Sequence, residues 1–427
     1  MRLGLLTQWY EPEPGPGAIP AALARGLAAR GHDVQVLTGF PNYPTGVIAP
    51  GYTMQRSLDE IINGVNVRRV ALYANHNASA IRRIANYASF GASAVASGLD
   101  SLRGMDALWV NYSPITVAWP MWAARFGLGI PQVAHIFDLW PDTLTLSGFT
   151  KGGRAFRMAE PGLNTWCQGM YRASESVAFI SPGMRPILEA RGVPAKKLHY
   201  VPIWADEAIF RPSHDDMRVE LGIADDAIVL LYAGALGEAQ GLTTLIDACA
   251  QVADARFLCL IAGSGVSESS LRAQANDVGA TNVRFLGRLR EDEMTALMAT
   301  SDFNYVGLRP HAVSRVTMPS KTQAAFAAGR ALLVAAEGDI AEVIRDSRTG
   351  FTADPRDPAT IAMAIRSACL LGRDGLHAMG ANARSYYENT FSVDRGVTSI
   401  ESLLVQAAAT KGRLVAHRPA RLRMTHR

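Results

Sequence analysis

The chain has 427 residues, 48% hydrophobic and 19% charged, which argues against disorder and is too long for one core. Its formal charge of +4 comes from 42 Lys/Arg against 38 Asp/Glu, but six of the basic residues lie in 411–427, where there is no acid. The rest of the chain is slightly acidic, so it does not read as a nucleic-acid-binding body.

MRLGLLTQWY is apolar only as far as Leu6 and turns polar at Thr7, so it reads as a first strand, Arg2–Thr7, rather than a leader peptide. Further strands are expected at Asp33–Thr38, Val65–Leu72, Ala107–Asn111, Gln132–Phe137, Ser176–Ile180 and Leu198–Pro202. Between the first two, Ala18–Arg30 is rich in Ala, Leu and Arg and reads as a helix ended by Gly31. Such alternation predicts a parallel sheet with helices on both faces. The segment Pro202–Ala227 is polar and contains proline, and then the pattern restarts. The second series of strands is Ile228–Tyr232, Phe257–Ala262, Val283–Leu286, Phe303–Val306 and Ala331–Ala335. The fold class expected is α/β, with two doubly wound Rossmann-like domains facing across a cleft, 1–205 and 206–375. Helices over 376–408 are expected to cross back to the first domain, with 409–427 a basic, disordered tail. No run of about 18 apolar residues occurs, so no membrane span is expected and the protein reads as cytoplasmic. Cys167, Cys249, Cys259 and Cys369 lie far apart with no His at metal spacing, and read as buried reduced thiols.

Chemistry concentrates where strands end. In open parallel sheets, ligands bind outside the carboxyl ends of the strands, where glycine lets backbone approach a phosphate. In the second half, YAGALGEAQG (232–241), CLIAGSG (259–265) and VRFLGRL (283–289) are apolar strands running into glycine. They offer Gly234, Gly237, Gly263 and Gly287 to one pocket, and MPSKTQAAFAAGRALLVA (318–335) adds a helix start carrying Lys321. A helix N-terminus presents free N–H groups and a positive dipole end to an anion, and a lysine adds a point charge. In the first half, Glu11–Gly17, Gly39–Gly46, Asp138–Asp142 and Ser181–Gly183 follow strands in the same sense. Asp138 stands at a strand end and is the leading candidate catalytic acid, while His135, two residues before Phe137, shares the strand face of Phe137. Glu337, Asp339 and Glu342 follow another strand end, and Arg309 and Arg315 precede Pro319.

The order and spacing of WYEPEPGPGAIP, RGHDVQVLTGFPNYPTG, DLWPD, LYAGALGEAQG and PSK resemble the retaining family 4 nucleotide-sugar glycosyltransferases of the two-Rossmann GT-B fold, of the WbuB and WcaI polysaccharide or O-antigen type. The resemblance runs to about residue 395. It implies that the loop with Gly15 and Gly17 closes over a donor diphosphate, that Gly287 and Arg288 lie near the base, and that Ser320 and Lys321 receive the diphosphate. It implies a sugar-nucleotide donor, UDP-linked, as substrate with no separate cofactor, and a saccharide or lipid-linked acceptor. Peripheral contact with an anionic membrane is part of the same expectation. Arg82, Arg83, Tyr87 and Phe90 are its candidates, with the tail arginines Arg413, Arg418, Arg421, Arg423 and Arg427.

Three departures stand out. Val316 and Ala324 occupy the positions of the family's Glu pair, with Gln323 one residue from the second. Gln240 replaces a lysine in the first glycine-rich loop, and Phe137 stands where a His or Arg often precedes the Asp. No Asp-x-Asp occurs, so a metal-independent reaction is expected. Two rivals remain open: a sugar-nucleotide epimerase on the same scaffold, and a non-catalytic transferase relative acting as a binding subunit.

Overall fold

The computed structural model describes residues 1–75, 80–146 and 153–416, and it divides into two compact units, each built on its own sheet. The first sheet contains β1 (Arg2–Leu6), β2 (Asp33–Gly39), β3 (Ser57–Ile62), β4 (Val65–Val70), β5 (Ala107–Asn111), β6 (Gln132–Ile136), β7 (Ser176–Phe179) and β8 (Leu198–Tyr200). Their order is β3-β4-β2-β1-β5-β6-β7-β8, parallel throughout except for the antiparallel β3–β4 pair. Every residue of β5 and β6 is buried, as expected of parallel strands covered on both faces. The helix Ala18–Ala29 buries Ala21, Ala24 and Leu27 at helical spacing. It stops at Gly31, whose φ of +84° and N–H bond to Ala28 O at 2.9 Å close the last turn.

The second sheet contains β9 (Ile228–Ala233), β10 (Phe257–Ala262), β11 (Val283–Gly287), β12 (Phe303–Gly307), β13 (Ala331–Ala335) and β14 (Gly350–Ala353). Its order is β11-β10-β9-β12-β13-β14, all parallel. Strand order reverses between β1 and β5 in the first unit and between β9 and β12 in the second, and those exits are where a doubly wound fold binds ligands.

Two strands escape the sequence pattern. In β3 exposed and half-buried residues alternate on an antiparallel edge, and β14 has only four residues. The unit limits also differ from the sequence-based ones. The second unit starts at Pro202, also takes in Ser181–Met184, and keeps the chain as far as Gly396. Residues 376–396 thus stay with the second unit, and only from Val397 does the chain pack into the first. There Val397, Ile400 and Leu404 are buried, and a Cβ on Gly26 would lie 2.7 Å from Val397. Glu401 pairs with Arg30 and His32, each at 2.7 Å, and Lys411 donates to Met105 O at 2.6 Å. Arg418, Arg421, Arg423 and Arg427 lie outside the described residues. All four cysteines are buried and free of disulfides. Among the described residues no helix is long and apolar enough to cross a membrane.

Candidate functional site

In the second unit the glycine exits form one backbone surface. Gly263 has φ +139°, its N–H donates to Gly287 O at 2.7 Å, and a Cβ on it would fall 1.8 Å from Gly234 O. Gly234 has φ +145°, and a Cβ there would meet Lys321 Cε at 2.4 Å. Both positions demand glycine for conformation and for space. Gly287 has φ +73° with open space beside it, whereas Gly237 is extended and also open. Two residues past β12, Arg309 N–H donates to Ala239 O at 2.9 Å and ties this loop to the one after β9.

Lys321 is the second residue of the helix Ser320–Ala327, which Pro319 precedes in extended conformation. Its Nζ lies 3.3 Å from Gln240 Oε1 and 5.2 Å from the centre of the Tyr232 ring. Gln240 thus holds the lysine where the family's first glycine-rich loop would add a second one. Desolvation lowers the Lys321 pKa to about 8. A half-buried ammonium with no carboxylate partner among the described residues, set beside glycine backbone and a helix N-terminus whose Ser320 is exposed, is an arrangement suited to a phosphate.

At 100° per residue, Ala324 lies about 60° around this helix from Lys321, while Gln323 is about 160° away. Gln323 is fully buried and its amide has no protein partner. It therefore does not stand in for the missing carboxylate. Glu337 does not either, because its carboxylate pairs with Arg356 on one oxygen and with Arg315 at 3.5 Å on the other. Asp339 accepts from the Ser181 hydroxyl and from Gly183 N–H at 2.7 Å. Glu342 is exposed in the first turn of the helix Asp339–Ser347. Arg309 pairs loosely with Glu238 at 3.6 Å, and Arg288 is exposed.

In the first unit, Gly15 has φ +65° and a Cβ on it would lie 4.0 Å from the Tyr43 ring, while a Cβ on Gly17 would come within 3.0 Å of the Tyr10 carbonyl carbon. At the exit of β6, Asp138 Oδ2 accepts from the Ser113 hydroxyl at 2.9 Å, and Trp140 Nε1 reaches that hydroxyl at 3.3 Å. Water reaches this carboxylate, which tempers the upward push the surrounding protein gives its pKa, and the Ser113 bond pulls the other way. Asp142 pairs with Arg191.

His135 must be corrected. It is fully buried, Trp109 Nε1 donates to its Nδ1 at 3.4 Å, and its Nε2 donates to Val201 O at 2.8 Å. Burial lowers its pKa to about 4, so it is a neutral core residue with both ring nitrogens engaged and leaves the catalytic set. Phe90 is likewise buried, and Tyr87 stands edge-on to Trp9 at 6.2 Å, so neither offers itself to lipid. On the same helix, Ala80–Ser93, Ile81 and Ile84 are exposed instead.

Two residues escaped the sequence reading. Ser113 could have been found, since Ser113-Pro114 after β5 repeats the Ser181-Pro182 pattern after β7. Glu13 could not, because two of its three partners, Asn42 and Tyr43, lie in a different loop.

Comparison with known proteins bears on the whole chain. The family model described as Glycosyl transferase 4-like domain matches residues 15–204, and that of Glycosyl transferases group 1 matches 227–369. A colanic acid biosynthesis glycosyl transferase, WcaI of Escherichia coli (strain K12), is 27% identical over 395 residues, 89% of this chain and 94% of that one. Among solved structures, the sucrose-phosphate synthase of Thermosynechococcus elongatus superposes with a TM-score of 0.69 at 17% identity, covering 96% of this chain and 100% of that one. HepE of Anabaena, solved with UDP and glucose, superposes with a TM-score of 0.65 at 18% identity, covering 95% and 100%.

Proposed function

We propose that the chain, which matches a Glycosyl transferase 4-like domain and a group 1 glycosyltransferase domain in turn, is a two-domain glycosyltransferase that moves a sugar from a UDP-linked donor to a hydroxyl of a saccharide or lipid-linked acceptor with retention of anomeric configuration. The observation that carries this reading is Lys321, an ammonium with no acid partner among the described residues, at a helix N-terminus beside Gly234 and Gly263. That HepE binds UDP and the relative WcaI belongs to polysaccharide synthesis supports the donor class and the acceptor class.

In the proposed reaction the bond from the anomeric carbon to the diphosphate oxygen breaks while the acceptor oxygen bonds to that carbon from the same face. The acceptor's proton passes to the departing phosphate oxygen, so no protein base is required. The protein contributes position and charge: Lys321, the helix N-terminus and the glycine backbone stabilise the leaving diphosphate. In the first unit, the Gly15–Gly17 turn and Asp138, held by Ser113, are the residues proposed to meet substrate. No cofactor or metal takes part.

The helix carrying exposed Ile81, Arg82 and Ile84 suits peripheral contact with an anionic membrane on the cytoplasmic side, where a lipid-linked acceptor would lie. Ala324 on the Lys321 side of its helix favours a second reading, a transferase relative that binds donor without turning it over. Calorimetry with UDP and UDP-glucose, followed by product analysis with lipid-linked saccharides in EDTA, separates the two. Acceptor-dependent release of UDP with an α-configured product supports transfer with retention. Donor binding without release supports the second reading, and activity lost in EDTA but restored by magnesium overturns metal independence.

A further inference from the structure

The loops at the exits of β1 and β2 are fastened together by one buried carboxylate. Glu13 is 4% exposed, and both its oxygens are used. Oε2 accepts from Tyr10 N–H at 3.2 Å, and Oε1 accepts from Asn42 N–H at 2.7 Å and Tyr43 N–H at 2.9 Å. Its own N–H donates to Tyr10 O at 3.1 Å, so the turn Tyr10–Glu13 is closed through backbone and side chain alike.

The network continues inward. Asn42 Oδ1 accepts from Asn86 Nδ2 at 3.3 Å, the same amide donates to Tyr73 O at 2.7 Å, and Asn86 Oδ1 accepts from Gln8 Nε2 at 2.6 Å. Gln8, Asn42 and Asn86 are all at most 2% exposed. Burial raises the Glu13 pKa while the three N–H bonds lower it. Burying a carboxylate is costly unless it is fully bonded, and a bonded buried network fixes one arrangement of the backbone around it.

That arrangement includes the turn that begins two residues later. A Cβ on Gly15 would lie 4.0 Å from the ring of Tyr43, whose N–H Glu13 holds, and Gly17 has Glu13 Cβ only 3.2 Å from where its own Cβ would be. We propose that Glu13 is a positioning residue: through Tyr10, Asn42 and Tyr43 it sets the Gly15–Gly17 turn in the form that receives the donor's terminal phosphate. This rests on the donor reading given above. Glu13 itself touches no substrate, since no oxygen is left over and the side chain is enclosed.

The test exploits the difference between UDP and UMP, which share base, ribose and first phosphate. Glu13→Gln keeps the shape but sets an amide NH2 group against N–H donors. UDP should bind the variant about tenfold more weakly while UMP changes less than about twofold. Hydrogen exchange at the Asn42 and Tyr43 amides should quicken. A general loss of structure would weaken both nucleotides together. A folded variant with an unchanged ratio of UDP to UMP affinity overturns the proposal and leaves the donor reading intact. A wild-type protein that binds no uridine, adenosine or guanosine diphosphate overturns both. If Glu13→Gln does not fold, Glu13→Asp, which keeps the charge but withdraws it by one carbon, should lower the same ratio. Wild-type Asn42 and Tyr43 amides exchanging as fast as an open loop also overturn it.

Discussion

Lys321 is the residue with most to lose. A hydrogen bond to a charged group contributes about 1.5–3 kcal/mol, so Lys321→Ala should weaken UDP binding roughly 10- to 150-fold. Without ligand its melting temperature should change little, and titration calorimetry beside thermal melts checks both. The pH dependence follows from the sign of the shift. The ordinary lysine value is 10.5, and here desolvation brings it to about 8. Above about pH 8 the free protein loses the ammonium that a diphosphate needs, so UDP affinity should fall with rising pH, and the Lys321→Ala variant should lack that slope. For stability the sign is opposite: between 8 and 10.5 the unfolded chain binds more protons, so the ligand-free fold gains stability as pH rises through that window. Ala324 provides a gain-of-function test. It lies on the Lys321 side of its helix, 9% exposed, so Ala324→Glu should tighten UDP binding by about 1 kcal/mol if a ribose hydroxyl lies within reach. Weaker binding in a folded variant would mean that the pocket has repacked around alanine.

At the scale of elements, the strand exits hold the second unit's site together through glycine. Gly263→Ala drives a methyl into Gly234 O at a φ of +139°, and should cost about 3 kcal/mol of stability along with nucleotide binding. Denaturant melts monitored with and without UDP would check it, and a variant of wild-type stability would contradict the close approach. These exits were legible in the sequence because strand and glycine are adjacent, so a short window holds the whole signal. The apolar strands β5, β6 and β13 were legible for the same reason, while β3 and β14 were not, because an edge strand need not bury both faces. Side-chain commitments were illegible. Glu13 finds two of its three partners 29 and 30 positions away, and nothing near Glu337 in the sequence reveals that Arg315 and Arg356 hold it. His135 lies just inside the strand end that carries Asp138, but whether it is buried depends on Trp109 and Val201, which lie on other segments.

At the scale of the molecule, the first unit is completed by the end of the chain. Val397, Ile400, Leu403, Leu404 and Ala407 are all buried, and burying each larger side chain contributes about 1.5–3 kcal/mol. A chain ending at Gly396 should therefore lose the cooperative melt of the first unit, while the second unit, which ends there, keeps its own transition. Two transitions in calorimetry, only the later-encoded one surviving truncation, is the expected result. A full-stability first unit would show that the terminal helix is dispensable.

The same discontinuity orders events during synthesis. A ribosome releases the sheet β1 to β8 long before it reaches Val397, so the emerging first half must wait with the surface for Val397, Ile400 and Leu404 uncovered while the whole second half is translated. The second unit's sheet lies within the continuous stretch from Pro202 and can close first, so the half made later is the one that can finish earlier. A chain ending at Gly396 and released from the ribosome would stay in that state, with its first half open to a chaperone and its second already resistant to protease.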